Sequence, residues 1–231
     1  MSRPLILAHR GDWSQAGENS LEAFRAAFRR PGVDGVEFDV RAARDGTPVV
    51  IHDATLRRLR GVRRRVRDLP TSALRDFGVL SLDEVLDRLP PPFFLDIELK
   101  EDVALRASQV IIGHRGDPPR EVAVSSFQPA IIRSVSVAHA DWRCWLITRR
   151  LNATVVAEAL DSGCVGLAVR WPALGPNGRR LVDSAGLELA TWTVEDPAVM
   201  ARVIGLGLLL VAVCVDPLAL PVPRAAARGG G

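Results

Sequence analysis

Lysine is nearly missing from this chain. Of its 30 basic residues only Lys100 is a lysine, so where a generic cation would serve the sequence uses arginine, whose planar fork does not replace an ammonium. Genome composition explains the bias at large, and it marks Lys100 as a position where the compact charge itself is the candidate requirement. Cysteine is scarce as well, with three residues, Cys144, Cys164 and Cys214, spread through apolar strings. That odd, dispersed set offers no zinc or redox pair and suits reduced thiols, so a cytoplasmic protein is expected. Long apolar runs are absent too: residues 205–215 make about half of the roughly 20 residues a membrane-spanning helix needs. The run at 4–9 is too short for a signal peptide, and no small-residue cleavage site follows it. No integral membrane segment and no export are therefore expected.

Neither a Gly-rich dinucleotide loop after the first apolar run nor a Pro/Gly/Ser-rich linker in mid-chain is present. What is present suffices for a packed core: 231 residues, 48% apolar and 25% charged, which excludes disorder and collagen-like structure. One domain is expected over residues 1–223, with an insertion at about 54–81 and a disordered tail at 224–231.

Short apolar runs alternate with longer amphipathic ones, the pattern of a parallel α/β fold. Strands are predicted at 5–9, 35–40, 93–99, 122–126, 144–148, 166–170, 189–194 and 211–216. Helices are predicted at 21–30 behind Ser20 as N-cap, at 82–89 behind a Ser81/Glu84 capping box, and at 104–112, 129–138, 154–160, 179–185 and 197–204. Eight strands with helical crossovers in this length fit an α/β (β/α)8 TIM barrel, whose sites lie at the carboxyl ends of the strands. The run 48–52 follows the second strand too closely for a parallel crossover, so it must return as a β-hairpin through Asp45-Gly46. A two-residue turn there sets His52 opposite Asp39. The segment 54–81 is the small insertion after this hairpin, with seven arginines between Arg57 and Arg67.

Several strands end in groups that are costly to bury alone. His9-Arg10-Gly11 closes the first; Glu37-x-Asp39 lies in the second and Glu98-x-Lys100 in the third, each with the two-residue spacing that shares one face of a strand. Glu37, Asp39 and Glu98 offer hard oxygen ligands and no thiolate, so their candidate cation is Mg²⁺ or Ca²⁺. The structural alternative is a core salt-bridge network with Lys100 and the arginines. His9 and His52, brought to the same rim, form a candidate acid/base pair for cleaving a phosphoester. His114-Arg115-Gly116-Asp117 repeats the tetrapeptide at 9–12, but it follows a helix and precedes a strand; it is therefore assigned to a solvated turn at the opposite end, with no catalytic role. Trp13 and Trp192 stand beside the candidate strand ends as possible pocket lining, while Trp142, Trp145 and Trp171 are read as core.

These motifs in this order resemble the glycerophosphodiester phosphodiesterase family along most of the chain. The resemblance is carried by His9-Arg10-Gly11, Glu18-Asn19-Ser20, Glu37-Phe38-Asp39-Val40, Asp45-Gly46 followed by Val49 to Asp53, Glu98-Leu99-Lys100, Ser125-Ser126-Phe127, Thr191-Trp192-Thr193-Val194 and Val215-Asp216-Pro217. It implies a divalent cation on Glu37, Asp39 and Glu98, and His9 and His52 as catalytic acid and base. It further implies Arg10 and Lys100 on the phosphate oxygens, and a glycerophosphodiester cleaved to glycerol 3-phosphate and an alcohol such as choline or ethanolamine. Gly17 stands where the family usually has proline, Ser20 where it has threonine, and Val215 where a threonine usually precedes the closing aspartate. A lysophospholipase D type activity is the nearby alternative, with peripheral lipid contact through the arginine cluster. A noncatalytic nucleic-acid or anion-binding module is the remote one; it would need no convergence of carboxylates, so no nucleic-acid partner is expected.

Overall fold

The computed structural model describes residues 3–205 and 210–220; the tail predicted at 224–231 lies outside them. Nine strands form one sheet: β1 (Leu5–His9), β2 (Gly35–Ala42), β3 (Pro48–Val50), β4 (Phe94–Leu99), β5 (Val122–Ser126), β6 (Cys144–Thr148), β7 (Gly166–Arg170), β8 (Glu188–Val194) and β9 (Ala212–Val215). The order β1-β9-β8-β7-β6-β5-β4-β2 closes through a β1–β2 pairing. All eight ring contacts are parallel, so the expected (β/α)8 barrel is what the chain forms.

Helices cover the ring: α1 (Leu21–Arg29), α2 (Arg57–Arg60), α3 (Thr71–Arg75), α4 (Leu82–Leu86), α5 (Ala104–Arg115), α6 (Pro129–Ala138), α7 (Ala153–Asp161), α8 (Pro176–Ala185) and α9 (Pro197–Gly205). Their starts follow local chemistry. The Ser20 hydroxyl accepts from the Ala23 N–H, and Ser81 with Glu84 closes both halves of a capping box. α4 ends short of its predicted span, ahead of the Pro90-Pro91-Pro92 run, which cannot continue a helix. α5 runs three residues past its predicted end and absorbs the start of the second tetrapeptide.

Alternation along the strands sorts the residues between two cores. Val36, Phe38 and Val40 face the helices, while Leu7, Phe94, Ala123, Trp145, Ile147, Ala168, Ala190 and Ala212 fill the ring from within. Four alanines leave the space that Phe94 and Trp145 occupy, their rings stacked at 6.1 Å. Trp145 is thus core, as expected, but core of the barrel interior. Further along the same inward-facing series come His9, Asp39, Glu98 and Asp216, at the carboxyl rim.

β3 pairs antiparallel with β2 along the edge that β1 leaves, but in a register one residue from the predicted one: Val40 opposes Val50, and Ile51 donates to the Asp39 carbonyl. The turn holds three residues, Arg44-Asp45-Gly46, because Gly46 takes φ +76° and donates to Ala43 while Ala43 donates to Thr47. An odd loop changes the parity, so a continued strand would turn the His52 side chain away from Asp39. His52 reaches the rim because β3 stops at Val50 and the chain bends there.

The insertion after it has a core of its own beneath β3, with Val49, Ile51, Leu56, Val66, Leu69 and Leu74 buried together. The second tetrapeptide is no solvated turn. Arg115 is buried and donates to the carbonyls of Phe93 and Leu89, tying down the loop that feeds β4, while His114 meets Asp83.

Candidate active site

A cavity of about 270 Å³ opens at the carboxyl rim, lined among others by His9, Arg10, Glu37, His52, Glu98, Lys100 and Trp192. Asp39 lies just beneath them, 1% exposed. Every predicted site residue is therefore brought to one place. Trp13 is not among the lining residues; it is partly exposed and donates to the His9 carbonyl at 3.1 Å.

The loop after β1 is bent to make this possible. Arg10 and Asn19 hold left-handed φ of 57° and 56°, conformations that cost a non-glycine residue roughly 1–2 kcal/mol. Gly11 follows at φ +83°, and a Cβ there would stand 2.7 Å from the Ala23 backbone, so only glycine lets β1 pass so close to α1. The Arg10 N–H donates to the Glu37 carboxylate at 3.3 Å, and the Arg10 guanidinium reaches Glu18 at 3.0 Å and Asp39 at 3.3 Å.

One oxygen from each of Glu37, Asp39 and Glu98 lies within 4.8 Å of the others, and all three residues are buried. Lys100 Nζ, at 3.0 Å from Asp39 and 2.7 Å from Glu98, offsets part of this charge. The result is uneven. Burial alone would raise Asp39, but Lys100 and Arg10 outweigh it and hold the carboxyl at about 2. Burial, with the charge of Asp39 added, pushes Glu98 up to about 7. Glu37 is driven well up by burial and by its acidic neighbours. Asp96, two residues before Glu98 on the same face, is lifted by burial to about 7 although Ser125 donates to it. Such a set of crowded carboxylates fits a divalent cation, which would relieve their repulsion. Its oxygen-only donor set suits a hard ion, and the buried Asn19 Oδ1 beside Asp39 has no hydrogen-bond partner among the described residues.

Each imidazole is held by a carboxylate on Nδ1. Asp216, at the end of β9, meets His9 Nδ1 at 2.5 Å, leaving Nε2 facing Glu37 at 3.8 Å. Asp53 meets His52 Nδ1 at 2.8 Å. Burial lowers the His52 pKa despite Asp39 and Asp53, which favours its neutral form.

Behind Asp53 stands Arg58 from α2. It donates to Asp53 at 2.7 and 3.1 Å and to Glu18 at 2.9 and 2.6 Å, so one guanidinium fork ties the carboxylate on His52 to the carboxylate on Arg10. Of the arginine cluster, a lipid contact only under the alternative lysophospholipase D reading, this member folds back onto the carboxylates beside the site.

Sequence reasoning missed Asp216, Asp53, Asp96 and Arg58 as functional residues. The first two carried a signal: Asp216 closes the last strand at the rim, and Asp53 adjoins His52. Asp96 shares the period-2 face of Glu98 and Lys100. Arg58 carried none, because nothing in a run of arginines distinguishes the one that folds back.

Fold and rim together define a class, the (β/α)8 barrels with a carboxylate- and imidazole-lined site at the carboxyl rim. More narrowly, residues 9–218 match the model of the glycerophosphoryl diester phosphodiesterase family, and the chain belongs to that family. A glycerophosphodiester phosphodiesterase of Caldanaerobacter subterraneus subsp. tengcongensis is 32% identical over 45% of this chain and 48% of its own length, so this match spans about half of that relative. The probable glycerophosphodiester phosphodiesterase 2 of Mycobacterium tuberculosis is 28% identical over 85% of this chain and 81% of its own length. The crystal structure of a glycerophosphodiester phosphodiesterase from Thermotoga maritima superposes with a TM-score of 0.80 at 26% identity, covering 95% of this chain and 97% of that one. Among the described residues no helix is long and apolar enough to cross a membrane.

Proposed function

We propose that this protein hydrolyses glycerophosphodiesters to glycerol 3-phosphate and an alcohol. The observation that carries the reading is the juxtaposition in one small cavity of three buried carboxylates with two imidazoles, each held by its own aspartate. Glu37, Asp39 and Glu98 would hold one Mg²⁺ or Ca²⁺, which supplies Lewis-acid polarisation of the phosphate and orients it.

The remaining work falls to the chain's own groups. Arg10 and Lys100 neutralise charge gathering on the nonbridging oxygens, where a cation inside a buried site counts for more than in water. Neutral His52 takes the proton of the attacking oxygen as its bond to phosphorus forms. His9, with Nδ1 fixed by Asp216, gives a proton from Nε2 to the alcohol oxygen as that P–O bond breaks. Trp192, whose indole N–H is engaged by the Ala168 carbonyl at 2.9 Å, presents an apolar face to a substituent of the phosphate. The three cysteines are free and buried, in keeping with a reducing cytoplasm.

The test is release of glycerol 3-phosphate from a panel of glycerophosphodiesters with chelator, then with Mg²⁺ or Ca²⁺ restored. Turnover should vanish with chelator and return with one of the ions. Turnover insensitive to chelation, or folded His9→Ala and His52→Ala variants of full activity, would refute the assignment. Cleavage only of substrates that keep an acyl chain would move the reading to a lysophospholipase D.

A further inference from the structure

The cavity has two unlike walls. β2 and β4 bring all the carboxylates that line it, and β1 brings His9 beside them. The opposite wall, from β5 to β8, is made of Phe127, Ile147, Ala168, Ala190 and Trp192 above Trp145, with no acidic side chain. Phe127 and Trp192 meet edge to face at 5.5 Å. Two such rings beside a phosphodiester site would ordinarily attract an ammonium headgroup through cation–π contact.

Here a cation of the protein is already in that position. Arg149, one residue beyond β6, lines the same cavity with its Cζ 4.6 Å from the Phe127 centroid, and Lys100 Nζ stands 5.8 Å from that ring. Among the described residues no carboxylate forms an ion pair with Arg149, although Glu158 borders the groove next to it. Its guanidinium is exposed and makes no ion pair among the described residues, so its donors are available at the mouth.

Building on the phosphodiesterase reading above, we infer that Arg149, seated on Phe127, determines specificity for the alcohol released. The glycerol moiety is uncharged, so a cationic wall discriminates through the other substituent of the phosphate. It disfavours alcohols bearing an ammonium, choline and ethanolamine, and favours uncharged polyols or alcohols with negative charge, whose hydroxyl or anionic oxygens the guanidinium can donate to. The choline or ethanolamine product that the family resemblance suggests is thereby replaced by a polyol.

The experiment compares kcat/KM at low salt for glycerophosphoglycerol and glycerophosphoinositol against glycerophosphocholine and glycerophosphoethanolamine, in the wild type and in Arg149→Lys, Arg149→Ala and Arg149→Glu, each checked for an unchanged melting profile. The wild type should favour the polyol diesters by about tenfold or more. Arg149→Lys should keep that preference, Arg149→Ala should bring the ratio toward one, and Arg149→Glu should invert it. A wild type that cleaves the choline diester as well as the glycerol diester overturns the inference, as does a ratio unmoved by Arg149→Ala and Arg149→Glu. Absence of turnover on all four diesters under either divalent ion is a different result: it removes the phosphodiesterase reading itself and this inference with it.

Discussion

The two halves of the barrel rim are built on opposite principles. From β2 and β4 come the crowded carboxylates, β1 brings His9, and the loop after β1 adds two left-handed non-glycine residues. From β5 to β8 come alanines and aromatic rings, with a register shift in β8 between Thr191 and Val194 and Phe127 in the bend just past β5. The first half holds groups that oppose burial, several of them paired: Arg10 and Lys100 on Asp39, Asp216 on His9, Asp53 on His52 and Arg58 behind it. The second half is stabilised by its own packing. Strain and charge on one side with smooth packing on the other is what a site looks like when one wall carries the chemistry and the other the fit.

The sharpest way to break this contrast is to remove a charged member of the first half. Glu98→Gln and His52→Ala should each lower turnover by about 10²–10⁴-fold while circular dichroism shows the fold intact. A loss of less than threefold in both would mean that the chemistry lies elsewhere. Next comes Arg58→Ala, which touches neither phosphate nor cation but frees Asp53 and Glu18 together; a fall of about 10- to 100-fold is expected, mainly in kcat. Arg58→Lys should recover only part of it, and the pH profile should shift because His52 loses its oriented partner; an effect confined to melting temperature would reduce Arg58 to a structural role.

A third, smaller effect is thermodynamic and has a definite sign. Asp96 and Glu98 are held near 7 and Glu37 is raised, against about 4 in an unfolded chain. The folded protein thus binds more protons than the unfolded one between those values, and without a divalent ion its stability should fall as pH climbs from about 4 to 7. His52, lowered by burial, acts in the opposite direction, as do Asp39, Asp45 and Asp53, held at about 2, and the lowered Glu18. Those carboxyls are ionised in both states above about pH 5, so over pH 5 to 7.5 only His52 opposes the three raised carboxyls. Scanning calorimetry in chelator should show the melting temperature declining from pH 5 to 7.5, and the rise on adding Ca²⁺ or Mg²⁺ growing over the same range. A melting temperature that climbs with pH in chelator would contradict the crowding of the carboxylates. Last, on the opposite wall, Phe127→Leu should change KM by roughly tenfold at most and leave kcat nearly as it was, since that wall shapes fit; an equal loss in kcat would erase the distinction between the halves.

Much of this was legible in the chain. The ring strands fall within two residues of their predicted bounds, because apolar alternation and the β-branched runs are local properties. Ser81 and Glu84 announced their helix start for the same reason. The His52 register was not legible, since a three-residue turn and a two-residue turn can share the same Asp-Gly. The fate of the twin tetrapeptides was legible in part: sequence context separated the rim copy from the one at the opposite end, but not that Arg115 would be buried under the loop before β4 rather than lie in a solvated turn.

By itself the sequence determined which strands exist, which of their residues face inward and hence which ionisable groups meet at the rim, because a period of two is written residue by residue. Tertiary structure alone decided which carboxylate holds which imidazole, which of seven clustered arginines turns back to join them, and which cation sits on Phe127. Those choices depend on distances between segments far apart in the chain, and burial fixes such distances only when the barrel closes.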